Sequence, residues 1–410
     1  MRALSPLFPR ISAVLLALAL AACGGTPSEK KIDTVPDAGN PDAGAPDAGG
    51  PDAGAPDAGS PDAGSPDAGG PDAGEPDRVM PDTLAELGLF TGSPGDGGMV
   101  PVAGNVPYTL TAPLFSDYAL KSRTLFVPPG KAARYDAKAV LDLPVGTLIT
   151  KTFSYPADLR APTQAVRAVE TRVLIHQPSG WEAYPYLWNA DQTEARMAAG
   201  GRVVPVEFID LNGATQKISY LVPSRNQCLT CHHLQNAAGE QVMLPIGVKA
   251  RYLNRTNTYG GTEVNQLQHL AQLGRLEGLP AMADVPHAPD PFDSAQADLS
   301  TRARTYLDIN CAHCHNPQGT AGITSRLFLN IDNPDLFNLG ECKRPGSAGS
   351  GVGGEFDIVP GDHATSILWY RMDTTESGKM MPQIGRSLRH EEGSKLIADW
   401  IDSMSPKPCK

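Results

Sequence analysis

Two strings, Cys228-Leu229-Thr230-Cys231-His232 and Cys311-Ala312-His313-Cys314-His315, share the pattern Cys-x-x-Cys-His. Two thiols at that spacing can form thioether bonds to both vinyl groups of one haem, and the adjacent imidazole can then bind the iron from one face. Two copies predict two covalently bound haem c groups, one on Cys228, Cys231 and His232, the other on Cys311, Cys314 and His315. Zinc sites and dithiol redox centres also use Cys-x-x-Cys. A four-cysteine zinc site leaves the histidine after each pair unexplained, and a thioredoxin-like centre needs a βαβ context that neither pair shows.

The sixth iron ligand separates electron transfer from binding or catalysis, because a filled position makes a carrier and an open one admits a small molecule. Lys379-Met380-Met381-Pro382-Gln383-Ile384-Gly385 looks like the Met-Pro-x-x-Gly loop of class I cytochromes c. Met381, directly before the proline, is the expected ligand of the second iron, with Met380 its competitor. The first iron has no such clear partner. Met243, in Met243-Leu244-Pro245-Ile246-Gly247, and Met282 both stay open as its sixth ligand, and His233, His269 and His287 are further candidates. With none of them bound, that iron would be five-coordinate and reactive.

The elements that must position these residues fall into two textures. Residues 80–223 read as a β-rich domain, with the clearest strands at 166–176, 181–188, 202–209 and 216–222. Pro178-Ser179-Gly180 and Asn212-Gly213 supply the turns. Beyond Asn226 the period changes to helical, at about 265–276, 295–310 and 391–404. Leu396, Ile397, Trp400 and Ile401 share one face of the last stretch, and Leu299, Ala303, Tyr306 and Leu307 would oppose them. The expected fold class is α+β: a β-sandwich or barrel-like N-terminal domain, then a mainly α-helical cytochrome c-like haem region. That region divides into a first haem c part at 224–298 and a second at 299–410.

The N-terminal end predicts an address. Arg2 and Arg10 precede an apolar run that ends in Leu20-Ala21-Ala22-Cys23, so residues 1–22 read as a secretory signal. By resemblance to bacterial lipoproteins, Cys23 would be the acylated mature N-terminus, with Gly24 after it favouring the outer membrane. The alternatives are a plain signal peptide or a short anchor, and the run is short for a bilayer span. From Pro36 the chain repeats Pro-Asp-Ala-Gly every five residues to Pro76-Asp77, without an aromatic or β-branched residue. It cannot build a core, and 23–79 reads as a semi-flexible tether reaching on the order of 40 to 100 Å. Nine Asp and Glu75 in the repeat account for nearly all of the formal net charge of −11, so global acidity says nothing about the partners of the folded part. Nothing points to nucleic acid. With one cysteine for lipid and four for haems, Cys342 and Cys409 remain, either as a disulfide in an oxidising compartment or as two free thiols.

Leu114-Phe115-Ser116-Asp117-Tyr118-Ala119, Glu170-Thr171-Arg172, Tyr186-Leu187-Trp188-Asn189, the run 226–232 and the run 302–315 together resemble a bacterial family of two-haem c-type cytochromes. In that family a β-rich domain precedes the haem region, and the likeness covers roughly 84–400, leaving the tether outside. The resemblance implies haem binding and electron transfer with redox partner proteins of the cell envelope, and names no substrate. An electron carrier at a membrane is the leading expectation. A haem oxidoreductase, either peroxidase-like or the cytochrome subunit of a substrate dehydrogenase, is the alternative, and a surface-binding module is a third class.

Overall fold

Runs in which every second residue is apolar fold as strands, because successive side chains point to opposite faces of a sheet. In the computed structural model, which describes residues 75–346 and 352–410, such runs build one open, antiparallel six-stranded sheet. Its strands follow chain order: Asn105–Pro107, Leu120–Phe126, Leu148–Tyr155, Arg167–Gln177, Gly180–Trp188 and Ala195–Met197. Arg202–Ile209 and Thr215–Val222 form a separate two-stranded ribbon. The signal segment, Cys23 and nearly all of the tether lie outside the described residues. No helix among the described residues is long and apolar enough to cross a membrane.

The pleat sorts the sheet into two apolar faces. Val173, Ile175, Tyr184 and Tyr186 pack on one side with Leu84, Leu87 and Leu89 of the entering chain. Leu125, Ile149, Leu174 and Ala183, cross-strand neighbours in register, point to the other side. There they meet Cys228, Met243, Tyr252, Leu267 and Ile309 in one cluster, so the first Cys-x-x-Cys-His string is seated on the sheet itself.

The expectation of a mainly α-helical, cytochrome c-like haem region is overturned. Among the described residues the molecule is mostly β-strand and its helices are short; the two longest of these, Leu299–Asn310 and Glu391–Asp402, have 12 residues each. Between them and the first motif the chain makes strand pairs instead, His233–Gln235 with Gln241–Met243 and Thr256–Tyr259 with Thr262–Asn265. The cause is local. Gly260 and Gly261 both take positive φ, 58° and 83°, as a tight hairpin turn requires. Pro245, Pro280, Pro286, Pro289 and Pro291 then interrupt any helical period before it can propagate.

The two 12-residue helices do pack on each other. Ala303 and Leu307 of one and Ile397, Trp400 and Ile401 of the other are all at most 3% exposed and share one cluster. Burying each large side chain there contributes about 1.5–3 kcal/mol. The crossing is close because Gly393 has no side chain: a Cβ there would stand 2.3 Å from the Tyr306 hydroxyl.

Candidate haem site

Each Cys-x-x-Cys-His string is carried by a capped helix. Ser224 and Gln227 close a reciprocal capping box at the start of Arg225–His232, which fixes the helix that holds Cys228, Cys231 and His232. Cys228 is buried at 8% exposure. At the helix end His232 Nδ1 donates to the Leu244 carbonyl at 2.7 Å, and Leu244 N returns a bond to the His232 carbonyl at 2.9 Å. A carbonyl only accepts, so the proton sits on Nδ1 and Nε2 keeps its lone pair for a metal. Burial holds this imidazole down at about 4, so it is neutral and ready to ligate at ordinary pH.

Asp298 caps the second helix by accepting from Thr301 N at 2.8 Å, and the helix delivers Cys311 at its C-terminal end. Cys314 N and His315 N both bond back to the Cys311 carbonyl, which curls the motif through one more turn. Burial pushes the Cys311 thiol up to about 12 and the His315 imidazole down to about 4.

The side chains of the second motif line a cavity of about 360 Å³, which Cys228 and His232 do not line. Cys311, Cys314 and His315 lie in its wall, and Met381 and Ile384 contribute to the same cavity from the loop before the last helix. Met380 does not reach it. The Met381 backbone is pinned from two sides: its N–H donates to the Arg371 carbonyl at 2.7 Å, and its carbonyl accepts from Arg386 Nε at 3.0 Å.

The two motifs, far apart in sequence, meet in space. Cys231 of the first motif lines the cavity of the second. Donor atoms of Cys231, His313 and Cys314 all lie within 4.8 Å of one another. The Cys314 thiol, by donating to Cys231, holds the Cys231 thiol low. Gln235 N adds a bond to the Gln318 carbonyl at 2.8 Å, joining the segments that follow each motif.

Met243 and Met282 are not separated by the structure, since both pack against the cluster that contains Cys228. Among the histidine candidates, His233 pairs with Met243 in the short hairpin, His269 stacks on Tyr259 at 3.7 Å, and His287 is exposed. Cys342 and Cys409 form a disulfide across a sequence separation of 67.

Several site residues carried no chemical signal of their own. Phe115 stacks on His390 with ring centres 4.1 Å apart, both line the cavity, and Tyr306 shares a 2.8 Å hydrogen bond with His390 Nδ1. Asp117 accepts from Ser387 and Leu388, close behind the Met381 loop. The string 114–119 is thus the contact between the sheet and the cavity. Its place in the resemblance was the only hint in the sequence.

The residues present fit a haem on three counts. The donor set is two thiols and a neutral imidazole, with a thioether in the same cavity. The volume falls in the range of about 300–1,000 Å³ common for ligand sites. His315 is buried and neutral, and its Nδ1 makes no hydrogen bond of ordinary geometry, with the Leu327 backbone as a weak neighbour. Compared with known proteins, the chain matches no protein-family model, no curated protein and no solved structure. The likeness to two-haem cytochromes therefore stands on the quoted strings alone.

Proposed function

We propose that this chain is a two-haem c-type cytochrome that carries single electrons in the bacterial cell envelope, held at a membrane through Cys23. The observation that carries the reading is a single cavity lined by Cys311, Cys314, His315 and Met381 of the second Cys-x-x-Cys-His string and its loop, with Cys231 of the first string on its wall. Haem bound there would supply the ferric–ferrous couple. Cys311 and Cys314 would anchor it and His315 would ligate on one side. Met381, pinned through Arg371 and Arg386, would close the sixth position, which favours carriage of electrons over turnover of a small molecule. Ile384, Leu327 and Leu368 give the same space apolar walls. The adjacency of Cys231 and Cys314 supports passage of electrons between the two groups within one chain.

A second reading has its own observation, the Cys231, His313 and Cys314 trio, whose donor set suits a soft or borderline ion such as zinc. A pyridine haemochrome assay scaled to protein concentration, on chain matured where cytochrome c assembly machinery is present, separates the two. Two covalently retained haems per chain are expected. No haem, with zinc found near one equivalent, would overturn the cytochrome reading. A ferrous carbon monoxide difference spectrum addresses the enzyme alternative, since a saturated six-coordinate iron should bind little of the gas.

A further inference from the structure

One row of the sheet is hard to understand without a missing partner. Arg123, Lys151 and Arg172 stand directly opposite one another on three adjacent strands, and Lys121 lies two residues from Arg123 on the same face. Like charges in cross-strand register destabilise a sheet, and these are partly withdrawn from water. Arg123 is 7% exposed, and its Nη2 is buried with no hydrogen-bond partner among the described residues. Lys151 is half-buried and makes no hydrogen bond among the described residues; its ammonium stands over the Phe153 ring at 4.7 Å, a ring Arg172 also covers at 4.3 Å, and Glu170 gives it only a through-space attraction. Its ammonium is held well below the usual lysine range, first by burial and then by Arg123, Lys121 and Arg172.

The nearby carboxylates do not balance this charge. Glu170 is committed to Arg172 at 2.6 and 3.0 Å and to the Tyr220 hydroxyl at 2.6 Å. Both oxygens of Asp117 are taken by Ser387 and Leu388. The row lies on the face that receives the first motif: Arg123, Lys151 and Arg172 each stand two residues along their strands from Leu125, Ile149 and Leu174, which pack in one cluster with Cys228.

We propose that Lys121, Arg123, Lys151 and Arg172 form a binding site for paired carboxylates, beside Cys228 and His232. Two sources offer that chemistry: the propionate groups of a haem on the first motif, or a free di- or tricarboxylate bound next to it. The first source rests on the cytochrome reading; the second does not, because the four basic side chains are in place whatever the cysteines hold.

The test is calorimetric titration of citrate into the haem-loaded protein and into its Lys151→Met and Arg123→Met variants, with a redox titration of each. Saturable citrate binding that weakens at least tenfold in the variants, about 1.4 kcal/mol or more, identifies a free carboxylate. No citrate binding, together with a lower potential for one haem in both variants, identifies the propionates, since a lost cation favours the ferric state. Citrate neither bound nor displaced, with both potentials unchanged, overturns the proposal. Failure of haem incorporation is read separately by the haemochrome count, and citrate binding is then tested on the haem-free chain. Folding does not confound the variants: removing one cation from a like-charged row raises the melting temperature if the site is empty and lowers it if the site is filled.

Discussion

Removing the Asp117 carboxylate should loosen the loop that brings Met381 to the cavity. Asp117 is 4% exposed. It accepts from Ser387 N at 2.7 and 2.9 Å, from Ser387 Oγ at 2.9 Å and from Leu388 N at 2.7 Å. Arg386, just before these residues, donates to the Met381 and Leu388 carbonyls at 3.0 Å each, so one short segment is fastened to Asp117 and to Met381 together. A hydrogen bond to a charged acceptor contributes about 1.5–3 kcal/mol. Ser387 and Leu388 are half-buried, so water restores part of the loss, and Asp117→Ala should lower the unfolding free energy by about 2–4 kcal/mol. Asp117→Asn should recover at most half of that, because its NH₂ group faces donors where an oxygen accepted. The assay is urea unfolding of the haem-loaded protein followed by tryptophan fluorescence, with the weak far-red sulfur-to-iron band as a second readout. A loss under about 0.5 kcal/mol, the ordinary range for surface changes, with the band intact, would refute the reasoning.

Three further outcomes are expected. Met381→Ala should abolish the far-red sulfur-to-iron band while leaving both haems covalently attached; a persisting band means that another residue is the ligand. In the haem-free chain, His232, His315 and His390 are each held at about 4 by burial against an ordinary 6.5. The unfolded chain therefore takes up protons first as pH falls, so their contribution to stability is complete above about 6.5 and is lost toward about 4, by about 3 kcal/mol per fully buried imidazole. Unfolding free energies that stay level over that window contradict this. Cys409→Ser opens the loop closed by the disulfide and should cost about 2–4 kcal/mol, matched by adding reductant to the unaltered protein; stability indifferent to both changes would show that the bridge does not constrain the chain.

What could be read from the sequence was whatever rests on local period and spacing. Alternation located the strands Arg167–Gln177 and Gly180–Trp188 to within a residue or so, and the apolar stripe of 391–402 identified the face that meets Leu307. The three helical stripes fall on helices of the structure, but they do not make the region mainly α-helical, because glycines and prolines break the chain between them into hairpins and single turns. Long-range register was not legible at all. Nothing in the spacing of Arg123, Lys151 and Arg172 says that they stand in one row, and nothing between His232 and Cys311 says that Cys231 and Cys314 become neighbours. Both facts depend on which strand pairs with which and on where the first motif is seated.

The meeting of Cys231 and Cys314 carries a consequence for biogenesis. A chain exported unfolded presents its first motif before its second, and each pair of thiols is then separate. Folded without haem, the same chain holds thiols of different motifs side by side, and in the oxidising compartment proposed for it they could cross-link or capture a stray ion with His313. Haem attachment would have to run ahead of folding, with the fold acting as a deadline: chains that close too early are diverted, and the yield of mature protein becomes a race between ligation and collapse.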